Sequence, residues 1–164
     1  MVIAVDTNVL LNLADDSEPV WDCLATLRER LGSPPFLVLP TVVQELVDIG
    51  DHHDSPEREL ALKTIGQLRI WGFRPVSYVP VDHETLKQLA SHLRSEELLP
   101  PEEVNDSFIL AEAGFLPATM LLTSDSHLLD LNRDRLKIEM DAFDAETPII
   151  VSPRKIVADF FRTR

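Results

Sequence analysis

The chain has 164 residues, 45% of them hydrophobic, with 28 acidic against 15 basic side chains and a formal net charge of -13. That length and apolar content suit a single domain with a sizeable core and exclude a disordered polar chain. So negative a surface repels nucleic acid at long range, so a nucleic-acid substrate would need local cations, a basic patch or a partner chain. The one cysteine, Cys23, cannot form an intrachain disulfide or supply a Cys-type zinc site. It reads as a small core residue in a reducing compartment. No basic segment followed by an apolar stretch opens the chain, and no run approaches the roughly 20 apolar residues of a membrane span. The expectation is a cytoplasmic protein with no membrane partner.

Val2 to Val5 is an apolar run that stops abruptly on Asp6-Thr7-Asn8, the pattern of a buried parallel strand. In an open α/β sheet, ligands bind outside the carboxyl ends of the strands, which puts Asp6 where chemistry is done. Thr7 to Leu13 reads as one or two helical turns. Asp15-Asp16-Ser17 ahead of Pro19 opens a helix through Trp21, Leu24, Leu27 and Leu31, and Gly32 stops it. Phe36 to Leu39 is a second strand, ended by Pro40. Thr41 and Gln44 have the spacing of a capping box, and Glu45 falls just past the first turn of that helix. Asp51 to Asp54, with His52 and His53, reads as a polar loop. Ser55-Pro56-Glu57 opens a helix through Leu60, Ile65 and Leu68 that stops near Gly72.

Phe73 to Val81, with Val76, Tyr78, Val79 and Val81, is the third strand candidate. Asp82 caps a helix carrying Leu86, Leu89 and Leu93, and Leu98-Leu99-Pro100-Pro101 breaks the chain. Glu102 to Ala113 is helical, with Gly114 as its stop. Ala118 to Leu122 is the fourth strand, closed by the turn Thr123-Ser124-Asp125-Ser126 and followed by a short helix through Leu128, Leu129 and Leu131. Within 132–147, Leu136, Ile138 and Met140 alternate with Lys137, Glu139 and Asp141, the pattern of a short edge strand. Pro148 to Val151 and a helix opened by Ser152-Pro153 give a C-terminal strand and helix over 148–162. Strands alternating with helices imply an α/β protein, one domain over 1–164 with a parallel sheet covered on both faces.

Acids follow three strands, Asp6 the first, Glu45 the second and Asp125 the fourth, and Asp106 stands near the start of the helix before the fourth. Two carboxylates about 5 Å apart at an effective dielectric of about 20 repel by roughly 3 kcal/mol, so convergence of all four would demand protons or a cation. Oxygen-only ligands suit Mg²⁺ or Mn²⁺. An ion so held activates water and neutralises phosphate charge, so metal-assisted phosphodiester hydrolysis is the matching chemistry. Asp6 and Asp106 are the first choices as direct ligands. Each acid also has a plainer reading: Asp6 and Asp125 as caps, Asp106 as an acid favourable to a helix N-terminus, Glu45 as a surface residue. None of these accounts for four acids at matching places. His52-His53 reads as a loop pair and His127 as surface helix. Arg133, Arg135, Lys137, Arg154, Lys155, Arg162 and Arg164 are solvated surface, or a cluster that holds an RNA backbone.

At these residues the sequence resembles the PIN-domain nucleases. The resemblance lies in Asp6-Thr7-Asn8, in Glu45 within Val42-Val43-Gln44-Glu45-Leu46, in Asn105-Asp106-Ser107 with Ile109 and Ala111 behind, and in Leu121-Leu122-Thr123-Ser124-Asp125. It spans Val2 to Val151 and rests on the ordered set of motifs. It implies a three-layer α/β/α sandwich with a central, mainly parallel sheet. It also implies a Mg²⁺- or Mn²⁺-dependent endoribonuclease acting on RNA, often the toxin of a type II toxin–antitoxin pair with an antitoxin partner, and often a homodimer. By motif position Asp6, Glu45, Asp106 and Asp125 would be the catalytic, metal-binding acids, with Asn8, Thr123 and Ser124 orienting them by hydrogen bonds. The chain departs from compact relatives in extra length at 51–71 and 132–147, and in the turn Ser126-His127-Leu128. The alternative is a PIN-fold interaction module, its acids weakly metal-loaded, that binds a protein or RNA. A dinucleotide enzyme is excluded, since Asp6 to Leu13 has no Gly.

Overall fold

The computed structural model describes residues 1–161, so Arg162 and Arg164 lie outside the described residues. The chain runs β1 (Ile3–Val5), α1 (Thr7–Ala14), α2 (Glu18–Leu31), β2 (Phe36–Val38), α3 (Pro40–His52), α4 (Glu57–Gln67) and β3 (Phe73–Pro75). It continues through α5 (His83–Ser95), α6 (Val104–Phe115), β4 (Met120–Leu122), α7 (Ser126–Leu129), α8 (Arg133–Asp141), β5 (Ile149–Val151) and α9 (Pro153–Phe161). The five strands form one sheet in the order β3-β2-β1-β4-β5, every pairing parallel. Helices cover both faces, giving the expected α/β/α sandwich. No helix among the described residues is long and apolar enough to cross a membrane.

The register aligns the strand ends. Val5 pairs with Val38 on one side and Leu122 on the other, so Asp6, Leu39 and Thr123 are the first residues beyond three level strands. The chain first builds outward from β1 through β2 to β3, then crosses to β4 on the other side. The crevice between β1 and β4 is therefore a topological switch point, where open α/β sheets bind ligands. Beneath it the strands are sealed: Ile3, Ala4, Val5, Val38, Leu121 and Leu122 are fully buried, covered by Leu10 and Leu13 of α1, Leu46 of α3 and Ile109 and Leu110 of α6. Cys23 is buried among them, as expected of a core residue.

Four expectations are corrected. The third strand ends at Pro75 rather than running to Val81. Val76 still donates to the Val38 carbonyl at 2.9 Å, but the edge then leaves the sheet, because Pro75 and Pro80 supply no N–H for a ladder. Residues 136–140 form helix rather than an edge strand. Asn132 caps α8 by accepting from Arg135 N–H at 3.0 Å, and the buried pair is Leu136 and Met140, four apart, while Ile138 is exposed. The supposed loop 51–54 is half helix, since α3 continues through His52. Helix α6 runs through Gly114 instead of stopping there.

Gly114 serves close packing. A Cβ there would lie 2.8 Å from the Glu146 carbonyl oxygen and 3.1 Å from Ala145 Cβ, and would collide with Met140 Cε. The Gly114 carbonyl also accepts from Glu146 N–H at 3.1 Å, tying α6 to the chain that enters β5. Gly114→Ala is expected to destabilise the protein by about 1–3 kcal/mol, read as a lower urea midpoint at unchanged slope. A midpoint equal to wild type would show that the α8–β5 connection yields freely.

Candidate functional site

Asp6 ends β1 and starts α1. Its N–H donates to the Leu122 carbonyl at 2.9 Å, which fixes it across the β1–β4 crevice. The side chain is 4% exposed and fully engaged. Oδ1 accepts from Thr7 N–H at 2.7 Å, capping α1, while Oδ2 accepts from Thr123 Oγ1 at 2.6 Å and Asn8 Nδ2 at 3.0 Å. Asp6 thus caps α1 as its plainer reading expected, and the same side chain also faces the β1–β4 crevice. The turn after β4 is organised by the same residues. Thr123 Oγ1 accepts from Asp125 N–H at 3.0 Å, and Asn8 Oδ1 accepts from Ser124 N–H at 2.9 Å, so Ser124 contributes its backbone rather than its hydroxyl. Asp125 Oδ1 in turn accepts from His127 N–H at 2.7 Å and caps α7.

Glu45 reaches the same place from α3. Its Oε2 accepts from the Thr7 hydroxyl and its Oε1 from Asn105 Nδ2 at 2.8 Å, which holds it between α1 and α6. Asp106 enters from the first turn of α6. Its Oδ2 is buried and accepts no hydrogen bond. All four sequence-predicted acids line one open hollow of about 400 Å³, together with Thr7, Asn8, Asp48, His53 and Asn105. Among the described residues, none of the arginines or lysines singled out in the sequence lines it. Arg135 donates to the Glu96 carbonyl, while Lys137 and Lys155 pair with Asp141 and Asp159.

Sequence reasoning missed several supports. Thr41 does not form a capping box with Gln44. Its N–H and hydroxyl donate instead to Glu112 of α6, at 3.1 and 2.7 Å, so a buried carboxylate from another helix caps α3 and sets its height. The available signal was a lone acid inside the apolar run Ile109 to Ala113. Asn105 and the Thr7 hydroxyl were quoted in motifs, but their shared acceptor is three-dimensional information. His53 lines the hollow, whereas its neighbour His52 sits against the Asp48 carbonyl, so the two histidines do not act as a pair.

The acids disturb one another. Burial, opposed by the Thr123 and Thr7 hydrogen bonds and reinforced by Glu45 and Asp125, pushes Asp6 up to about 6. Burial, then repulsion from Asp6, Asp125, Glu103 and Glu45, pushes Asp106 up to about 7. Glu112 is raised by burial. A donor set made wholly of oxygens, strained by its own charge and including one unpartnered buried oxygen, fits a hard divalent cation.

The chain is thus an α/β/α sandwich with four acids gathered at its β1–β4 switch point. No protein-family model and no curated protein matches the sequence. Solved structures do match. A chain in the crystal structure of VapBC2 from Rickettsia felis, bound to a DNA fragment from their promoter, superposes with a TM-score of 0.61 at 15% identity, over 93% of this chain and 98% of that one. A chain in the structure of VapBC-1 from nontypeable Haemophilus influenzae superposes with a TM-score of 0.54 at 18% identity, over 80% and 96% respectively. At such identities the likeness is one of fold.

A carboxyl whose folded pKa lies above its unfolded value favours the folded state while protonated. That contribution is complete below about pH 4 and is lost as pH rises through the folded value. With Asp6 raised to about 6 and Asp106 to about 7, metal-free protein should lose stability between pH 4 and 8. Asp106→Asn is expected to raise the metal-free melting temperature at pH 8 and to flatten its fall across this range. An unchanged pH slope would mean that neither burial nor its neighbours raise Asp106.

Proposed function

We propose that this chain is a divalent-metal-dependent endoribonuclease, with Asp6, Glu45, Asp106 and Asp125 holding Mg²⁺ or Mn²⁺. The observation that carries the reading is the unpartnered, buried Asp106 Oδ2 in a hollow walled by three more carboxylates. When bound, the cation would lower the pKa of a water and offset charge on the scissile phosphate. The chain's own part is orientation. Thr123, Asn8 and Thr7 N–H fix the Asp6 carboxylate, while Thr7 and Asn105 fix Glu45, so that the ligand oxygens need little reorganisation. On this reading the substrate is single-stranded RNA, whose phosphate would meet the acids lining the open hollow.

The VapBC assemblies among the structural neighbours support a finer proposal. On that reading the chain is the toxin of a type II pair, working in the cytoplasm with an antitoxin as its protein partner and forming a homodimer. A partner with a basic surface would also moderate a net charge of -13 near RNA.

Asp6→Asn is expected to reduce cleavage of single-stranded RNA to background while keeping a wild-type circular-dichroism spectrum. Thr123→Val is expected to weaken Mn²⁺ binding by about 10–100-fold by releasing the Asp6 carboxylate. Full cleavage by purified Asp6→Asn protein would overturn the reading. Absence of cleavage and of Mn²⁺ binding at millimolar concentration in the wild type would favour an interaction module.

A further inference from the structure

We propose that the chain holds a second cation position beside the acid hollow, formed by Glu103, Asp106 and His127, which takes a transition-metal ion that accepts imidazole, such as Mn²⁺ or Zn²⁺, in preference to Mg²⁺. It rests on and deepens the nuclease reading by sharing Asp106 with that centre, while Glu103, His127 and its ion preference are its own.

One ligand atom from each of the three side chains lies within 4.8 Å of the others. Ligands about 2.1 Å from a metal in a tetrahedral arrangement stand about 3.4 Å apart, so closure requires shifts that side-chain rotation supplies. One edge of the triangle already has that length: His127 Nδ1 is 3.1 Å from Glu103 Oε1. Two local features place the groups. Glu103 is the residue before α6 and Asp106 lies three further on, so both face the same side of its first turn. His127 is held at the start of α7 by its N–H bond to Asp125 Oδ1 at 2.7 Å.

The plain alternative is an ion pair between His127 and Glu103. That pair would satisfy Glu103 but leave Asp106 Oδ2 buried without a donor. A cation between the three groups satisfies all of them. The position adjoins the acid hollow, whose walls include Asp106 and Asp125 but neither Glu103 nor His127, and His127 Nδ1 lies 3.9 Å from Asp125 Oδ1. His127 lines a neighbouring cavity of about 310 Å³, with Pro100, Ser126 and Asn132. A nitrogen donor discriminates between ions: Mg²⁺ prefers oxygen ligands and retained waters, whereas imidazole suits transition metals.

The test is metal binding by the full chain, followed by calorimetry and by manganese electron paramagnetic resonance. Wild type is expected to bind two Mn²⁺ per chain, and one when saturated with Mg²⁺. His127→Ala and Glu103→Gln are expected to bind one Mn²⁺, with that one displaced by Mg²⁺. In Asp6→Asn, the His127 ring resonances should still broaden with Mn²⁺ and shift with Zn²⁺, while Mg²⁺ leaves them unmoved. Equal Mn²⁺ stoichiometry in wild type and His127→Ala, with both melting alike, would overturn the second position and leave the hollow's function intact. His127-dependent Mn²⁺ binding in a protein that cleaves no RNA would sustain the position and defeat the nuclease reading.

Discussion

A buried carboxylate costs several kcal/mol unless hydrogen bonds or an opposite charge replace its water. Asp6 meets that constraint with protein alone. Three donors converge on it, from the N-terminus of α1, the hydroxyl beyond β4 and the Asn8 amide. Those bonds couple the central strand, its neighbour and the first helix, so the site cannot be loosened without disturbing the middle of the sheet. Asp106 faces the same constraint without the same help, since one of its oxygens is buried with no partner. The contrast between the two acids gives the hollow its chemical direction: Asp6 is the fixed wall, and Asp106 is the group whose charge the protein leaves for something else to balance.

Around that pair the helices are set by polar contacts rather than by apolar packing alone. Glu45 is pinned from α1 by Thr7 and from α6 by Asn105, while Glu112 of α6 reaches back to the start of α3 through Thr41. Two carboxylates thus bind α3 to its neighbours, one at the rim of the hollow and one beneath it. The close approach of α6 to the chain before β5, which requires Gly114, holds that helix in place from the far side. The positions of Asn105 and Asp106 therefore depend on packing more than ten ångströms of helix away.

The parts legible in the sequence were those where punctuation and function coincide. An apolar run broken by an acid marks a strand end on the carboxyl edge of the sheet, so Asp6 and Asp125 could be placed on one edge without coordinates. Glu45 and Asp106 stood out in the same way at helix starts, the resemblance to PIN-domain nucleases joined the four into one ordered set, and the fold agrees with what it implied. The parts that were not legible are those where a local pattern has two solutions. Leu136, Ile138 and Met140 alternate as a strand would, yet Leu136 and Met140 also stand one helical turn apart, and the Asn132 cap decides for helix. Val76 to Val81 has the residues of a strand but lies between prolines at an edge. Thr41 has a capping-box partner at the right spacing, and a better acceptor seventy-one residues away in Glu112. Each of these was settled by tertiary geometry, which single-sequence patterns do not carry.

The overall charge gives the hollow a further meaning. Proteins that grip nucleic acid through basic surfaces gain affinity from releasing the counterions condensed on phosphate. The chain has a net charge of -13, and among its described residues no lysine or arginine lines the acid hollow to supply such an attraction. At 0.15 M salt the Debye length is about 8 Å, so the distant carboxylates of the surface are largely screened, whereas those lining the hollow are not. On the proposed nuclease reading, the charge that decides whether a phosphate can enter is therefore local: it is set by how many of Asp6, Glu45, Asp106 and Asp125 are neutralised at that moment. Burial, together with the repulsion among the acids, raises Asp6 and Asp106, and on that reading it makes cation loading and phosphate admission two aspects of one electrostatic balance.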